Sequence, residues 1–297
     1  MSAETADRVP LAVWVSGARP RTLTLSVVPV VLGTAAAALD GRVVPGLALL
    51  ALGTALLLQV GVNYANDYSD GVRGTDRFRV GPARLTGSGA ARPHRVRAVA
   101  IASLTAAAVC GAALAVASGL WWLLAVGALA LAAAWLYTGG PRPYGYAGFG
   151  DVAVFVFFGL VGTLGTELVQ AGRVSLDGVL VAAAAGCFAC AVLMINNIRD
   201  VGPDSRSGKR TLAVRLGLRR ARTAYAVLLV LPYAVAAALV PAHPGALLAL
   251  LSLPLSASAL AIGVRAVPAP ALVTALKRTS AGALVFAVAL AVGLVLG

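Results

Sequence analysis

Nine long apolar stretches with few charges restrict the folds open to this chain more than any other feature of the sequence. Most of them reach the roughly 20 residues with which a helix crosses the hydrocarbon core of a bilayer. Their Leu, Ala and Val side chains lack the alternation of a transmembrane β-strand. The stretches lie at about 22–39, 44–66, 97–117, 119–138, 150–171, 177–198, 222–240, 244–264 and 279–297. The sequence therefore predicts an all-α, polytopic membrane protein with nine transmembrane helices.

The overall composition also indicates a membrane protein. Of the 297 residues, 60% are hydrophobic and 12% are charged, whereas about 25% of the residues in a soluble domain are charged. We expect a single integral-membrane domain over residues 1–297.

The distribution of basic residues predicts the orientation in the membrane. The chain has 24 Lys and Arg and a net charge of +13, which by itself is also compatible with nucleic-acid binding. However, 22 of the 24 lie in the N-terminal tail and in every second loop, and Arg42 and Arg173 are the exceptions. Basic loops stay on the cytoplasmic side of a membrane. We therefore expect a multi-pass protein of the inner (cytoplasmic) cell membrane with its N-terminus in the cytoplasm, a lipid bilayer as partner and no nucleic acid.

Two clusters of Asn and Asp follow apolar stretches that end at cytoplasmic loops. Asn66 precedes Asp70 by four residues in the first cluster, as Asn196 precedes Asp200 in the second. Residues three and four apart share one face of a helix. Together the clusters contain Asn66, Asp67, Asp70, Asp76, Asn196, Asn197, Asp200 and Asp204. Their recurrence suggests an internal repeat, about 22–138 and 150–264, followed by a last helix at 279–297.

The two clusters have the composition of a metal and diphosphate site. Carboxylates that lie close together repel one another, and a divalent cation relieves the repulsion. Mg²⁺ takes carboxylate oxygens and shares its coordination shell with substrate phosphates. Cations that would hold a diphosphate leaving group accompany both clusters: Arg73, Arg77, Arg79, Arg199, Arg206, Lys209 and Arg210. We interpret the clusters as one site, with Mg²⁺ as cofactor, for an amphiphile with a diphosphate head; solvated helix caps are the alternative for either cluster alone.

A loop rich in glycine and proline, YTGGPRPYGYAGFGD from Tyr137 to Asp151, lies on the same predicted side of the membrane. Its composition favours a tight loop that holds Arg142 and Tyr137 over the site, although an ordinary short turn is the alternative. Aromatic faces stabilise positive charge. Tyrosines in this loop and around the first cluster include Tyr64, Tyr68, Tyr137 and Tyr144.

Four segments of the chain resemble the UbiA superfamily of intramembrane prenyltransferases, and most closely its 1,4-dihydroxy-2-naphthoate polyprenyltransferases of menaquinone synthesis. They are ARPRTL at 18–23, GVNYANDYSDGVRGTD at 61–76, YTGGPRPYGYAGFG at 137–150 and NNIRDVGPDSRSGKRTLAVRLG at 196–217. The resemblance covers nearly the whole chain and implies a ring-like bundle of nine transmembrane helices around a central cavity that faces the cytoplasm. It also implies Mg²⁺-dependent transfer of a polyprenyl group from polyprenyl diphosphate to 1,4-dihydroxy-2-naphthoate, with loss of CO₂ and diphosphate, to give a demethylmenaquinone. In such a reaction the pocket that faces the acceptor or the carbocation would be formed by Tyr64, Tyr68, Tyr137 and Tyr144.

The resemblance also implies roles for individual residues. The residues that would bind metal and diphosphate are Asp67, Asp70, Asp200 and Asp204, helped by Asn66, Asn196 and Asn197. The cations that would contact the diphosphate are Arg142, Lys209, Arg19 and Arg73. Many members of the superfamily have a third Asp in the first motif where this sequence has Gly74, and Asp76 follows two residues later. The naphthoate branch commonly shows this shift, so Asp76 is a further candidate metal ligand.

Two alternatives stay open at this point. A related prenyltransferase that acts on 4-hydroxybenzoate, homogentisate or a lipid alcohol would carry the same clusters. A secondary transporter built from repeats would use the aspartates as ion sites, but such sites typically lie near the bilayer midplane. The acids of this chain lie at helix ends beside large basic loops, which disfavours the transporter.

Overall fold

The computed structural model describes residues 9–78 and 84–297, and every regular element in these ranges is helical. The α-helices are α1 Leu11–Gly17, α2 Thr24–Leu39, α3 Pro45–Arg73, α4 Pro93–Ser118, α5 Leu123–Leu136, α6 Gly150–Val154, α7 Gly162–Ala171, α8 Leu176–Arg206, α9 Leu212–Leu239, α10 Leu253–Gly263 and α11 Ala269–Leu296. A π-helical turn, Phe155–Val161, joins α6 to α7, and a 3₁₀ segment, Pro244–Ser252, leads into α10. The predicted all-α class is confirmed.

The lengths of the helices indicate which of them can cross a membrane. In the described part of the chain, seven helical segments are long and apolar enough, and α1 with α2, bent by 45°, would make an eighth. The 14 residues of α5 rise only about 21 Å at 1.5 Å per residue, less than the roughly 30 Å of a hydrocarbon core. The protein is therefore a multi-pass membrane protein, while the count of nine spans stays a prediction.

Helix α8 is the central helix of the bundle. Its residues Val181, Phe188, Met194 and Ile195 are inaccessible to solvent. Ala and Gly residues are frequent in its middle, AAAAGCFACA at 182–191, and small side chains let neighbouring membrane helices approach closely. The ring of Phe188 packs edge-on against Phe286 of α11, with centroids 5.0 Å apart. This contact packs the middle of α8 against α11.

The ends of α3 and α8 carry the two clusters. Helix α3 ends at Gly74, whose φ of 74° is a left-handed conformation that glycine adopts at low cost. Helix α8 continues through Pro203 to Arg206. Asn196, Asp200 and Asp204 therefore follow one another at four-residue spacing on one helix, as the sequence predicts.

Candidate active site

A cavity of about 540 Å³ lies between α3 and α8, within the usual size range of small-molecule sites. Members of both clusters line it: Asn66, Asp67, Asp70, Asn196 and Asn197. Among the described residues, five cations also line the cavity: Arg19, Arg21, Arg84, Arg199 and Lys209. Its apolar walls include Leu58, Val62, Ala130, Ala133, Phe157, Phe158, Val192 and Leu193. The cavity thus offers charged groups for an ionic head and apolar walls for a hydrocarbon or aromatic group.

A row of polar side chains on α3 connects the cavity to the N-terminal segment. The amide nitrogen of Gln59 donates to the side-chain oxygen of Asn63 at 3.4 Å, and that of Asn63 donates to the Ala18 carbonyl at 2.9 Å. The next residue, Arg19, has a φ of 52°, which is uncommon for a residue with a Cβ. These bonds hold the turn that brings Arg19 into the cavity wall.

The Asp70 carboxylate has two strong partners. Its Oδ2 accepts from Arg84 at 2.5 Å, and its Oδ1 accepts from the Tyr146 hydroxyl at 2.6 Å. The same Arg84 lies 3.5 Å from Asp76. Burial disfavours the charge of Arg84, but the carboxylates of Asp70, Asp76 and Asp67 outweigh burial and raise its pKa. Arg84 therefore stays protonated and compensates the first cluster.

The Asp67 carboxylate binds backbone rather than cations. Its Oδ2 accepts from the amide of Leu85 at 2.9 Å, and its Oδ1 accepts from the amide of Thr86 at 2.8 Å. Leu85 is itself buried against Tyr64 and Ala65. Asp67 thus anchors the chain segment that positions Arg84.

The second cluster carries its own cations. Arg199 donates to both oxygens of Asp200, at 2.8 and 2.5 Å, and to the side-chain oxygen of Asn196 at 2.8 Å. The Lys209 ammonium lies 4.0 Å from Asp204 and is close enough to Asp70 to interact electrostatically. Lys209 therefore interacts with a carboxylate of each cluster.

The loop between α5 and α6 folds over the cavity. Tyr137 and Tyr144 line it, with ring centroids 5.5 Å apart and the planes nearly perpendicular. The Tyr144 hydroxyl donates to the Ala133 carbonyl at 2.8 Å, and burial raises its pKa to about 12. Arg142 is exposed on this loop and does not line the cavity.

Tyr146 of the same loop connects the first cluster to the segment that follows the second. Besides its hydrogen bond to Asp70, its ring lies 5.5 Å from the Arg73 guanidinium and 5.1 Å from the Lys209 ammonium. Its carbonyl accepts from the amide of Arg210 at 2.9 Å. Arg73 also donates to the Gly140 carbonyl, so it binds the loop rather than lining the cavity.

The other two tyrosine candidates point away from the cavity. The Tyr64 hydroxyl donates to the Trp14 carbonyl at 2.5 Å, and Tyr68 lies under Arg97 at 5.8 Å. Both rings pack in a separate apolar cluster with Leu85. The structure therefore brings Tyr137 and Tyr144 to the cavity but not Tyr64 and Tyr68.

Two residues that shape the site were not among the sequence candidates. Arg84 lies in a loop 14 positions after Asp70, and no helical spacing relates the two. Tyr146 lies in the loop rich in glycine and proline, and the three tyrosines of that loop were the signal that could have indicated it. Arg79 lies outside the described residues, as does the side chain of Arg77.

The donor groups suit Mg²⁺, since the acids and amides of both clusters offer oxygen ligands. Among the residues that the structure describes, no three Asp, Glu, His or Cys side chains converge as a complete metal cage. Mg²⁺ usually takes only one or two carboxylates and completes its shell with water and substrate phosphates. The residues present therefore fit a Mg²⁺ ion that is held jointly with a diphosphate.

The fold and the cavity define a class of protein: a helical integral-membrane protein whose acid- and cation-lined cavity suits a substrate with an anionic head and an apolar body. The chain belongs to the UbiA prenyltransferase family, whose model matches residues 26–284. It is therefore a membrane-embedded prenyltransferase.

Relatives and solved structures agree with this assignment. The 1,4-dihydroxy-2-naphthoate octaprenyltransferase of Mycobacterium tuberculosis (strain ATCC 25618 / H37Rv) is 49% identical over 286 residues, 96% of this chain and 98% of that protein. The protein of the same name from Escherichia coli (strain K12) is 42% identical over 73% of this chain and 72% of its own. A UbiA homologue from Aeropyrum pernix K1 has a TM-score of 0.67 at 18% identity and covers 91% of this chain and 97% of its own. The homologue from Archaeoglobus fulgidus bound to DMAPP and Mg²⁺ has a TM-score of 0.62 at 15% identity, over 94% and 99%.

Proposed function

We propose that the chain transfers a polyprenyl group from polyprenyl diphosphate to 1,4-dihydroxy-2-naphthoate in a Mg²⁺-dependent reaction. The observation that carries this proposal is one cavity with apolar and aromatic walls that is lined by members of both Asn/Asp clusters and, in the described part of the chain, by five cations. The cluster members in the lining are Asn66, Asp67, Asp70, Asn196 and Asn197, whereas Asp76, Asp200 and Asp204 do not line the cavity. The choice of acceptor is supported by the two relatives named 1,4-dihydroxy-2-naphthoate octaprenyltransferase.

In this proposal the diphosphate head binds at the charged end of the cavity. Asp67 and Asp70 of α3, together with Asp200 and Asp204 of α8, are the carboxylates that would hold Mg²⁺, with Asp76 nearby and with Asn66, Asn196 and Asn197 as neutral oxygen donors. When bound, Mg²⁺ neutralises the charge that develops on the leaving diphosphate. The cations Arg19, Arg84, Arg199 and Lys209 would donate hydrogen bonds to the diphosphate oxygens. Arg73 holds the loop above it through the Gly140 carbonyl, and Arg142 of that loop is a further candidate cation for the diphosphate.

The apolar walls position the two carbon centres. The bond between the allylic carbon and the diphosphate oxygen breaks, and its electron pair leaves with diphosphate. The faces of Tyr137 and Tyr144 stabilise the positive charge left on carbon. The ring carbon that bears the carboxylate then forms the new carbon–carbon bond. The carboxylate leaves as CO₂ and its bonding pair returns to the ring, which gives the reduced form of the demethylmenaquinone.

Product analysis tests this function. Purified protein in detergent, supplied with Mg²⁺, a prenyl diphosphate and 1,4-dihydroxy-2-naphthoate, should form the prenylated, decarboxylated product detectable by mass spectrometry. The same incubation with 4-hydroxybenzoate, homogentisate or a lipid alcohol should give none. A product from one of these acceptors alone would replace the proposed acceptor by that compound.

We propose that the site opens to the cytoplasm. The reason is that 22 of the 24 Lys and Arg lie in the N-terminal tail or in the alternate loops that also follow the two Asn/Asp clusters, and basic loops stay on the cytoplasmic side. Ser88 is exposed near the site, and Val174 is 43% exposed in the loop between α7 and α8. In a chain whose three cysteines are replaced by Ala, Ser88→Cys should react with an impermeant thiol reagent only in inverted membranes. Val174→Cys should react only in intact spheroplasts, and the reverse pattern would refute the orientation.

A further inference from the structure

Tyr146 of the α5–α6 loop contacts the first Asn/Asp cluster and the segment that follows the second cluster. Its hydroxyl donates to Asp70 at 2.6 Å and lies 3.3 Å from the Thr75 hydroxyl. Its carbonyl accepts from the amide of Arg210, which follows the second cluster. The residue therefore bridges the C-terminal end of α3 and the segment after α8.

The hydrogen bond from Tyr146 restricts the orientation of the Asp70 carboxylate. With Oδ1 held by Tyr146 and Oδ2 held by Arg84, the carboxylate cannot rotate without breaking one of two short bonds. Each carboxylate oxygen has a second lone pair, so both remain able to bind a cation. A partner that orients a ligating carboxylate commonly accounts for 10- to 100-fold in metal affinity.

The ring of Tyr146 lies close to Lys209, which follows the second cluster. The Lys209 ammonium lies 5.1 Å from its centroid and 4.0 Å from Asp204, while the Arg73 guanidinium lies 5.5 Å from the same ring. A ring between two cations is attracted to both. The aromatic face thus holds Lys209 at a position from which it reaches both clusters.

We infer that Tyr146 is a positioning residue that orients Asp70 for metal binding through its hydroxyl and holds Lys209 for the diphosphate through its ring. The inference rests on the proposed Mg²⁺ and diphosphate site. It separates two functions within one side chain, and each function has its own substitution. Tyr146→Phe removes the hydroxyl and keeps the ring, whereas Tyr146→Ala removes both.

Mn²⁺ binding followed by electron paramagnetic resonance, on purified protein with prenyl diphosphate bound and no acceptor present, tests the hydroxyl. Tyr146→Phe should weaken Mn²⁺ binding about 10-fold or more. The matched control is Tyr233→Phe, which also loses a hydroxyl with two 2.7 Å contacts, but to Ser252 and Ser256 rather than to a carboxylate of the site. This control should leave Mn²⁺ binding unchanged. Melting temperatures in metal-free buffer show whether each variant is folded.

Kinetics tests the ring. Tyr146→Ala should raise the KM for prenyl diphosphate well above that of Tyr146→Phe, because Lys209 loses the aromatic face. Equal KM values for the two variants would overturn the role of the ring.

Asp70→Ala distinguishes failure of the inference from failure of the metal site. If Asp70→Ala weakens Mn²⁺ binding and Tyr146→Phe does not, the role of the hydroxyl is wrong while the proposed site stands. If neither substitution changes Mn²⁺ binding, the proposed metal site is wrong and the inference falls with it.

Discussion

The Arg84 guanidinium lies 2.5 Å from the Asp70 carboxylate, and both side chains are buried, with 9% and 3% of their surfaces exposed. A carboxylate buried this deeply at a helix end requires a compensating charge. Arg84 supplies it from a segment that Asp67 anchors through two backbone amides. The first Asn/Asp cluster is therefore stabilised by the chain itself before any metal ion binds.

Removing Arg84 should lower the stability of the protein. Arg84→Ala leaves the buried carboxylate of Asp70 without its cation, and breaking a buried ion pair in this way costs about 3–5 kcal/mol. The melting temperature in detergent without divalent ions should fall strongly, and added Mg²⁺ should restore part of the loss by supplying positive charge.

The matched control is Arg173→Ala, which breaks the pair that Arg173 forms with Asp40 on the surface. That Arg is 65% exposed, and exposed pairs contribute little. Equal losses of melting temperature in the two variants would show that burial does not decide the contribution of Arg84.

Asp67 should act as an anchor for the segment 84–91. Asp67→Asn keeps one acceptor oxygen but turns an amide N–H₂ toward a backbone N–H, so one of the bonds to Leu85 and Thr86 is lost, at about 1–3 kcal/mol. Hydrogen–deuterium exchange of the 84–91 amides should accelerate. Asp200→Asn on α8 is the comparison and should leave exchange in 84–91 unchanged; acceleration in both variants would contradict a specific anchor.

A tyrosine that lines the cavity and a tyrosine that packs elsewhere should differ in their effect on turnover. Tyr137→Ala removes an aromatic face from the cavity, and a desolvated cation–π contact of about 2 kcal/mol corresponds to roughly 30-fold in kcat. Tyr68→Ala changes a ring outside the cavity and should retain kcat near that of the unmodified protein. Single-turnover rates at saturating substrates check the comparison, and an equal loss in both variants would contradict the assigned pocket.

The stability of the protein should depend on the ionisation of Tyr144 at alkaline pH. Burial raises its pKa from 10.0 to about 12, so the folded state binds its proton more tightly than the unfolded state. The stabilisation is complete below pH 10 and is lost as pH rises from 10 toward 12. The melting temperature should fall less steeply above pH 10 in Tyr144→Phe than in the unmodified protein, and parallel curves would refute this linkage.

Much of the fold follows from local sequence properties. Apolar length alone located the helices, because a bilayer admits a spanning segment only when its backbone is satisfied internally. The pairs Asn66–Asp70 and Asn196–Asp200 were recognisable because helical spacing is a local property. The internal repeat and the number of spans stay predictions.

The sequence alone did not predict which tyrosines line the cavity. Tyr64 and Tyr68 stand four apart on α3 and turn together toward the cluster around Leu85, while Asn63, Asn66 and Asp70 face the cavity. Spacing predicts which residues share a face, but which face meets the cavity depends on the neighbouring helices.

Hydropathy and helical periodicity thus determined that this chain is a helical membrane protein with two acid clusters at helix ends. The partners of those acids came from elsewhere in the chain. Arg84 reaches Asp70 from a loop, Tyr146 reaches it from 76 positions away, and Lys209 reaches the ring of Tyr146 from beyond α8. Such pairings depend on how the helices pack and where the loops fold back, because a charge in a buried place is stabilised by whichever group the fold brings within reach.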